Sequence, residues 1–275
     1  MTRFSAFATH LLVSLLVVGL MLGAGVFLWY PPPLFEIDGG WQGLRMVVLI
    51  DLVLGPLLTL IVYRPGKPKL KFDMGVIFTI QLAALSFGVW TLYQHRPALL
   101  VYADDMLKPF ALSVVEEVDP DGSVLRRFGS DFPLKLAIPI PTDPEAGSRY
   151  LLKRLASDIP LHLQIKDYVP LADWWPGIVA DSLNIERYVT RKTEWQLAFQ
   201  RSLHELDRSM DELVFLPIKG RNKSGIIVAE AVSGEFIHFL DIPFVPEWGS
   251  RKIPLRQRLE ETALSAPADQ TTESE

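Results

Sequence analysis

Apolar residues run almost unbroken from Phe7 to Tyr30, from Leu44 to Tyr63 and from Met74 to Tyr93. No charge stands between Arg3 and Glu36, and none within the third run; Arg45 and Asp51 are the charges in the second. A helix needs about 20 such residues to cross about 30 Å of hydrocarbon. The pattern therefore predicts three membrane spans, at about 7–30, 44–63 and 74–93. A signal peptide has a shorter apolar core and a small-residue cleavage site. The first run is longer and ends in the bulky Phe27–Tyr30, so it reads as a retained anchor, although Gly23–Ala24–Gly25 leaves a cleavage site conceivable.

Beyond His95–Arg96–Pro97 the pattern changes to short segments. Leu99–Ala103 and Ala111–Val118 read as strands. Asp119-Pro-Asp-Gly122 is a turn signal, after which Val124–Phe128 completes a hairpin. Leu134, Leu136, Ile138 and Ile140 alternate as on a half-buried strand, and Leu161, Leu163 and Ile165 do the same. A short helix is expected over Arg149–Ala156. The longest helical pattern runs from Ser182 to Ser209, with Ile185, Val189, Trp195, Phe199, Leu203, Leu206 and Met210 on one stripe and Asp181 or Ser182 as its cap. A meander closes the fold: Leu213–Ile218, Gly225–Val232 and Glu235–Asp241, turning at Lys219–Ser224 and Ser233–Gly234. The expected fold is α+β: three transmembrane helices in residues 1–95, then a mixed α+β domain over 96–261. The polar tail 262–275 reads as disordered.

Composition sharpens this division. Of 275 residues, 49% are hydrophobic and 21% charged, below the roughly 25% charge of soluble domains. Residues 1–95 carry six basic and four acidic groups, net +2; the remaining 180 carry 21 and 28, net −7. An overall charge of −5 argues against a nucleic-acid partner, which demands a basic face. Cysteine is absent, which removes thiolate metal sites and cysteine nucleophiles and suits an oxidising compartment.

Charge also predicts orientation. The loop RPGKPKLK holds Arg64, Lys67, Lys69 and Lys71 with no acid, whereas Pro31–Gly40 holds Glu36 and Asp38 with no base. Positive loops stay cytoplasmic. The amino terminus is thus expected inside, and residues 96–275 outside, in the periplasm of a bacterium.

Within the spans, Asp51 is a candidate contact, because a carboxylate about 10 Å deep costs several kcal/mol unless it is satisfied. Ser86 comes out at similar depth as a possible partner. Ser14, Thr59 and Gln81 form a second polar layer, and Arg45 snorkels near the outer edge. Gly19-x-x-x-Gly23 and Ala84-x-x-x-Gly88 favour close helix packing, and Pro56 kinks the second span.

Catalytic motifs do not emerge. His10, His95, His162, His204 and His238 show no metal spacing, and no nucleophile elbow or phosphate loop is present. His204 with Glu205, Asp207 and Asp211 reads as a solvated helix face, the pairs Asp104–Asp105 and Glu116–Glu117 as surface, and Trp174–Trp175 as a packed loop. The expectation is a protein that is not an enzyme, needs no cofactor and takes no small-molecule substrate.

The segment Gly39–Asp73, GGWQGLRMVVLIDLVLGPLLTLIVYRPGKPKLKFD, resembles the TfpX/TfpZ family of type IV pilin accessory proteins. The opening MTRFSAFATHLL, the WYPPP exit, the QLAAL of the third span and the closing LPIKGRNKSGIIVAEAVSGEFIHFLDIPF are similar to the same family. The resemblance implies a bacterial inner-membrane helper for pilin stability, pilus assembly or pilus dynamics such as twitching motility, with a major pilin and membrane lipid as partners and no catalytic residues. Alternatives are a periplasmic sensor or scaffold of another envelope machine, and a membrane enzyme with Asp51 as a buried acid.

Overall fold

The computed structural model describes residues 2–245 apart from 130, 131, 140, 142, 157–159 and 181. The tail read from Thr262, the boundary at 261 and the cap candidate Asp181 lie outside the described residues.

Among the described residues, three helices are long and apolar enough to cross a membrane: Arg3–Trp29, Gly40–Val62 and Leu70–Gln94, hereafter spans 1 to 3. Span 2 is the central one. Spans 1 and 3 both pack on it and barely touch each other, meeting at the end nearest the sheet, where Trp29 and Tyr93 lie edge to face at 5.7 Å and the Tyr30 hydroxyl donates to the Leu92 carbonyl at 3.1 Å. Of the small-residue pairs, the second serves packing. A side chain at Gly88 would press on Val47, whereas Gly19 and Gly23 meet nothing within 4 Å. The first pair is therefore not a contact between these three helices.

Pro56 acts as expected but one turn earlier than its own position. Its ring excludes a straight α-helix, and it has no N–H to donate. The preceding segment Leu49–Leu54 opens into a π-helix, in which the Gly55 N–H bonds the Ile50 carbonyl. The Asp51 carbonyl thereby loses its usual donor to that shift, and the next residue is the proline.

The described residues beyond span 3 include a seven-stranded mixed sheet in the order β4-β3-β1-β2-β5-β6-β7. The strands are β1 Pro97–Ala103, β2 Met106–Ala111, β3 Leu134–Ala137, β4 Val169–Pro170, β5 Leu213–Lys219, β6 Ser224–Glu230 and β7 Phe236–Leu240. β1 pairs in parallel with β3, and β2 with β5; the other neighbours are antiparallel. β1 is buried along its whole length, as a run apolar on both faces must be. Asp104 and Asp105, both at positive φ, make the two-residue turn into β2.

Several segments depart from the pattern read in the sequence. Ala111–Val118 was expected as a strand, but β2 stops at Ala111 and Leu112–Val118 is a helix. Leu112, Val115 and Val118 recur at three-residue steps and pack on one face of the sheet, which outweighs the strand propensity of valine. Leu125–Phe128 is a 3-10 turn rather than the second arm of a hairpin. The Asp119 carboxylate accepts the backbone N–H groups of Leu125 at 2.9 Å and Val124 at 3.4 Å, which holds those amides in a turn. Leu161–Ile165 is likewise not a strand but falls in two 3-10 turns. The long helix breaks in two, Ile185–Val189 and Thr193–Leu206. Asn184 caps the first at the Arg187 N–H, and the Thr190 hydroxyl, donating to the Arg187 carbonyl at 2.9 Å, closes it. Their apolar stripe covers one sheet face, with Tyr188, Trp195 and Phe199 against Phe215, Ile226 and Val228.

The opposite face has an unexpected contributor. Leu34 and Ile37, from the short helix Leu34–Ile37 between spans 1 and 2, lie in one core with Leu100, Leu107, Leu216, Ile218 and Trp175. Ile37 is fully buried. The chain leaves span 3 at residue 95, but the packing does not divide there. Trp175 is anchored by its indole N–H on the Ala231 carbonyl at 2.8 Å.

Candidate functional site

Two polar constellations stand out, one inside the spans and one where the spans meet the sheet.

The first lies at mid-length of all three helices. Ser14 of span 1, Asp51 of span 2 and Gln81 of span 3 are each buried, at 2%, 8% and 9% exposure. Gln81 packs its amide nitrogen against the bare backbone of Gly55, where any side chain would collide with it. Toward the Arg64–Lys71 loop, the buried Thr59 hydroxyl and His10 Nδ1 share a hydrogen bond of 2.6 Å. Gln81 is not satisfied in this way. The buried Gln81 Nε2 has no hydrogen-bond partner, and among the described residues no hydrogen bond reaches Asp51. An unpaired buried amide N–H costs roughly 1–3 kcal/mol, so Gln81 stands there at the expense of stability.

The structure separates some expected partners. Ser86 does not join Asp51. It is exposed and lines a cavity of about 380 Å³ with Trp29, Leu85, Val89, Trp90 and Tyr93. It stands one helical turn and more nearer the sheet than Gln81, on the face turned toward Trp29 rather than toward span 2. Arg45 is exposed. Arg64, Lys67, Lys69 and Lys71 are all exposed, and Lys67 pairs with Asp73 at 2.6 Å.

Replacing Asp51 with leucine tests what the carboxylate does. Because no internal hydrogen bond is lost, the variant should be as stable as the parent or up to about 1–2 kcal/mol more stable. Thermal unfolding in detergent measures this. A clear loss of stability would mean that the carboxylate holds the helices together.

The second constellation was not visible as a unit in the sequence. The turn between β5 and β6, Gly220–Lys223, grips the connection between spans 1 and 2. Asp38 is 0% exposed. The Arg221 guanidinium reaches both its carboxylate oxygens at 3.1 Å, its carbonyl at 2.6 Å and the His95 carbonyl at 2.6 Å. One side chain thus ties the first connection, the end of span 3 and the sheet. The Ile37 carbonyl accepts the N–H groups of Asn222 and Lys223, both at 3.2 Å. Lys223 bridges Asp241 at 2.7 Å and Glu36 at 3.1 Å. Gly220 has to be glycine, since a Cβ there would stand 2.5 Å from Ile37 Cγ2 and 2.7 Å from its carbonyl oxygen.

Electrostatics follow this geometry. Burial pushes the Asp38 carboxyl above the usual range, against the pull of Arg221. Partial burial acts to lower Lys223, but its two carboxylate partners prevail and hold its ammonium above the usual lysine value. The available signal was complementary charge. The first connection holds only acids, and the β5–β6 turn only bases.

Elsewhere, Lys108 pairs with Asp104 at 2.5 Å beside His162, which stacks on Phe110. Burial, and then Lys108, lower the His162 pKa. Among the described residues, no three histidine, aspartate or glutamate side chains converge as a metal centre would need.

Fold and site together define a class: a membrane-associated protein whose three apolar helices are locked to a mixed α/β sheet domain. Sequence comparison makes the class specific. A fimbrial assembly protein of serogroups C1 and C2 from Dichelobacter nodosus is 37% identical over 102 residues, 36% of this chain and 77% of that protein. The serogroup I and E1 fimbrial assembly proteins of the same organism are 37% and 35% identical over 102 residues. The matched stretch spans 39% of the length of each of those two. The chain belongs to the fimbrial assembly protein family. No family model matches it, and no solved structure does.

Proposed function

We propose that this protein is an inner-membrane helper for a type IV pilin, acting in pilin stability, assembly or pilus dynamics without catalysing a reaction. Its similarity to fimbrial assembly proteins carries this reading. The architecture supports it. A subunit waiting in the membrane offers a hydrophobic helix and a head outside the bilayer, and this chain presents a surface for each. Two tethered contacts raise effective concentration, so each can stay weak and the subunit can still be released. The sheet domain and the connection it grips are periplasmic in this reading, with the basic loop Arg64–Lys71 in the cytoplasm. The partners are the major pilin and membrane lipid; neither a cofactor nor a small-molecule substrate enters.

Co-purification of pilin with the full chain from gently solubilised membranes tests the role. Enrichment of pilin over other envelope proteins is expected; its absence from a properly folded preparation would end the reading. Orientation has its own test. Alkaline phosphatase fused after Arg96 should be active and fused at Lys67 inactive. The reverse pattern would overturn the assignment.

A further inference from the structure

We propose that the sheet-side end of spans 1 and 3 binds one anionic phospholipid, its phosphate on Arg96 and an acyl chain in the cavity walled by Trp29 and residues 85–93. Such a site is independent of the assembly reading; it needs only that the three spans cross a bilayer.

Arg96 follows directly on span 3, which ends at Gln94. Trp29, Trp41, Trp90 and Tyr93 stand at the same ends of the three helices, and such rings settle at the membrane interface. That puts Arg96 at headgroup level. Its side chain is largely enclosed, the residue being 9% exposed. The guanidinium lies on the Tyr93 ring at 3.8 Å, with the Phe132 ring at 5.7 Å. Those two rings are themselves 41% and 46% exposed, so the cage around the cation borders the interface. One N–H donates to the Tyr93 carbonyl at 3.1 Å, out of the five that an arginine carries. Among the described residues, no carboxylate pairs with Arg96 and no second acceptor reaches its side chain. Glu116 accepts from Gln94 at 3.5 Å, and Arg221 already holds Asp38. Aromatic faces attract a cation but supply no counter-charge. A phosphate supplies the charge and two oxygens that match the guanidinium fork.

The cavity provides for the other half of the ligand. It measures about 380 Å³ and is lined by Trp29, Leu85, Ser86, Val89, Trp90 and Tyr93, so that Ser86 apart its wall is aliphatic or aromatic and suits hydrocarbon. Tyr93 belongs to both halves, since its ring forms part of the cavity wall and carries the Arg96 guanidinium. An anion joined to hydrocarbon at the membrane interface is a phospholipid. Free phosphate would leave the cavity unfilled, and an apolar helix would leave Arg96 without a counter-charge.

The test uses the full-length protein in phosphatidylcholine vesicles that hold a trace of phosphatidylglycerol with a photoreactive acyl chain, and maps the adducts by mass spectrometry. Adducts are expected on Trp29 and residues 85–93 in excess over Phe78 and Ile80, which are exposed on span 3 but line no part of the cavity. Unlabelled phosphatidylglycerol should compete, and inorganic phosphate should not. Arg96→Gln should lower the cavity adducts about fivefold or more, as the loss of a hydrogen bond to a charged group implies; Arg96→Lys, which keeps the charge, should lower them less. Val89→Trp leaves Arg96 in place, fills the cavity and should remove the same adducts, so the outcome does not hang on the folding of the Arg96 variants. Equal labelling of Phe78 and Ile80 would mean ordinary surrounding lipid and overturn the site. So would unchanged yield in Arg96→Gln or in Val89→Trp, or displacement by inorganic phosphate.

Discussion

Replacing Arg221 with alanine should destabilise the protein by about 2–4 kcal/mol, toward the lower part of the range for breaking a buried ion pair. Arg221 itself is 40% exposed, so its removal forfeits little packing. The damage is at Asp38, which is fully buried and would keep a carboxylate without its guanidinium. The His95 carbonyl would lose a donor as well. Acidification should relieve the defect. Burial already raises the Asp38 pKa above 3.8, and loss of the Arg221 side chain removes the larger part of what opposes that rise, leaving the backbone N–H of residue 221 on Asp38 Oδ1. A carboxyl raised in the folded state penalises folding only when ionised. The penalty is absent below the unfolded value, grows as pH climbs from there to the folded value and is full above it. The gap in melting temperature between parent and variant should therefore be widest near neutrality and shrink as pH falls toward 4. Asp38→Asn should be milder, because the amide keeps one acceptor oxygen for Arg221 and leaves no buried charge. Asp38→Ala combined with Arg221→Ala should cost less than the two singles summed. A pH-independent gap would show that Arg221 acts through something other than the Asp38 charge.

Ile37→Ala should cost about 2–4 kcal/mol, the usual range for truncating a fully buried aliphatic side chain. It should do so in the sheet domain, although Ile37 is distant from that domain in sequence. Hydrogen exchange would register the loss in β5 and β6, where Leu216 and Ile218 face Ile37 across one core. Gly220→Ala should act in the same place, because its Cβ collides with the same residue. Glu36→Ala is the control. Its bridge to Lys223 joins side chains 52% and 29% exposed, and pairs of that kind contribute about 1 kcal/mol or less. A fragment beginning at residue 96 lacks Leu34 and Ile37 altogether, so it should be less protected at β5 and β6 than the full chain. If Ile37→Ala leaves these strands unchanged, the connection merely rests on the sheet.

Much of this molecule is dictated locally. The three apolar runs admit no structure but membrane-length helices, because hydrocarbon leaves backbone polar groups no other partner. The closing meander follows from alternation and turn residues that agree with one another. Local reading failed where tertiary contacts outweighed propensity. Val114 and Val115 favour strands in isolation, yet docking onto the sheet made Leu112–Val118 helical. The Asp119 carboxylate redirected a predicted hairpin arm into a turn.

The site divides along the same line. The sequence marked Asp51 and Gln81, since charge and amide groups within apolar runs are conspicuous by themselves. It paired Asp51 with Ser86 on depth alone. Depth along a helix is a matter of rise per residue, but partnership also depends on which side of the helix faces its neighbour, and Ser86 faces away. The grip of Arg221 on Asp38 was beyond local reading for a related reason. The two residues are 183 positions apart, and each alone is an unremarkable charge in a loop. Sequence determined which segments are long and apolar enough to cross a membrane and where the strands of the closing meander fall, because those choices rest on local patterns. Only the tertiary structure decided that the first connection completes the core of the distant sheet, because burial of Ile37 and charge compensation at Asp38 exist only once the two segments meet.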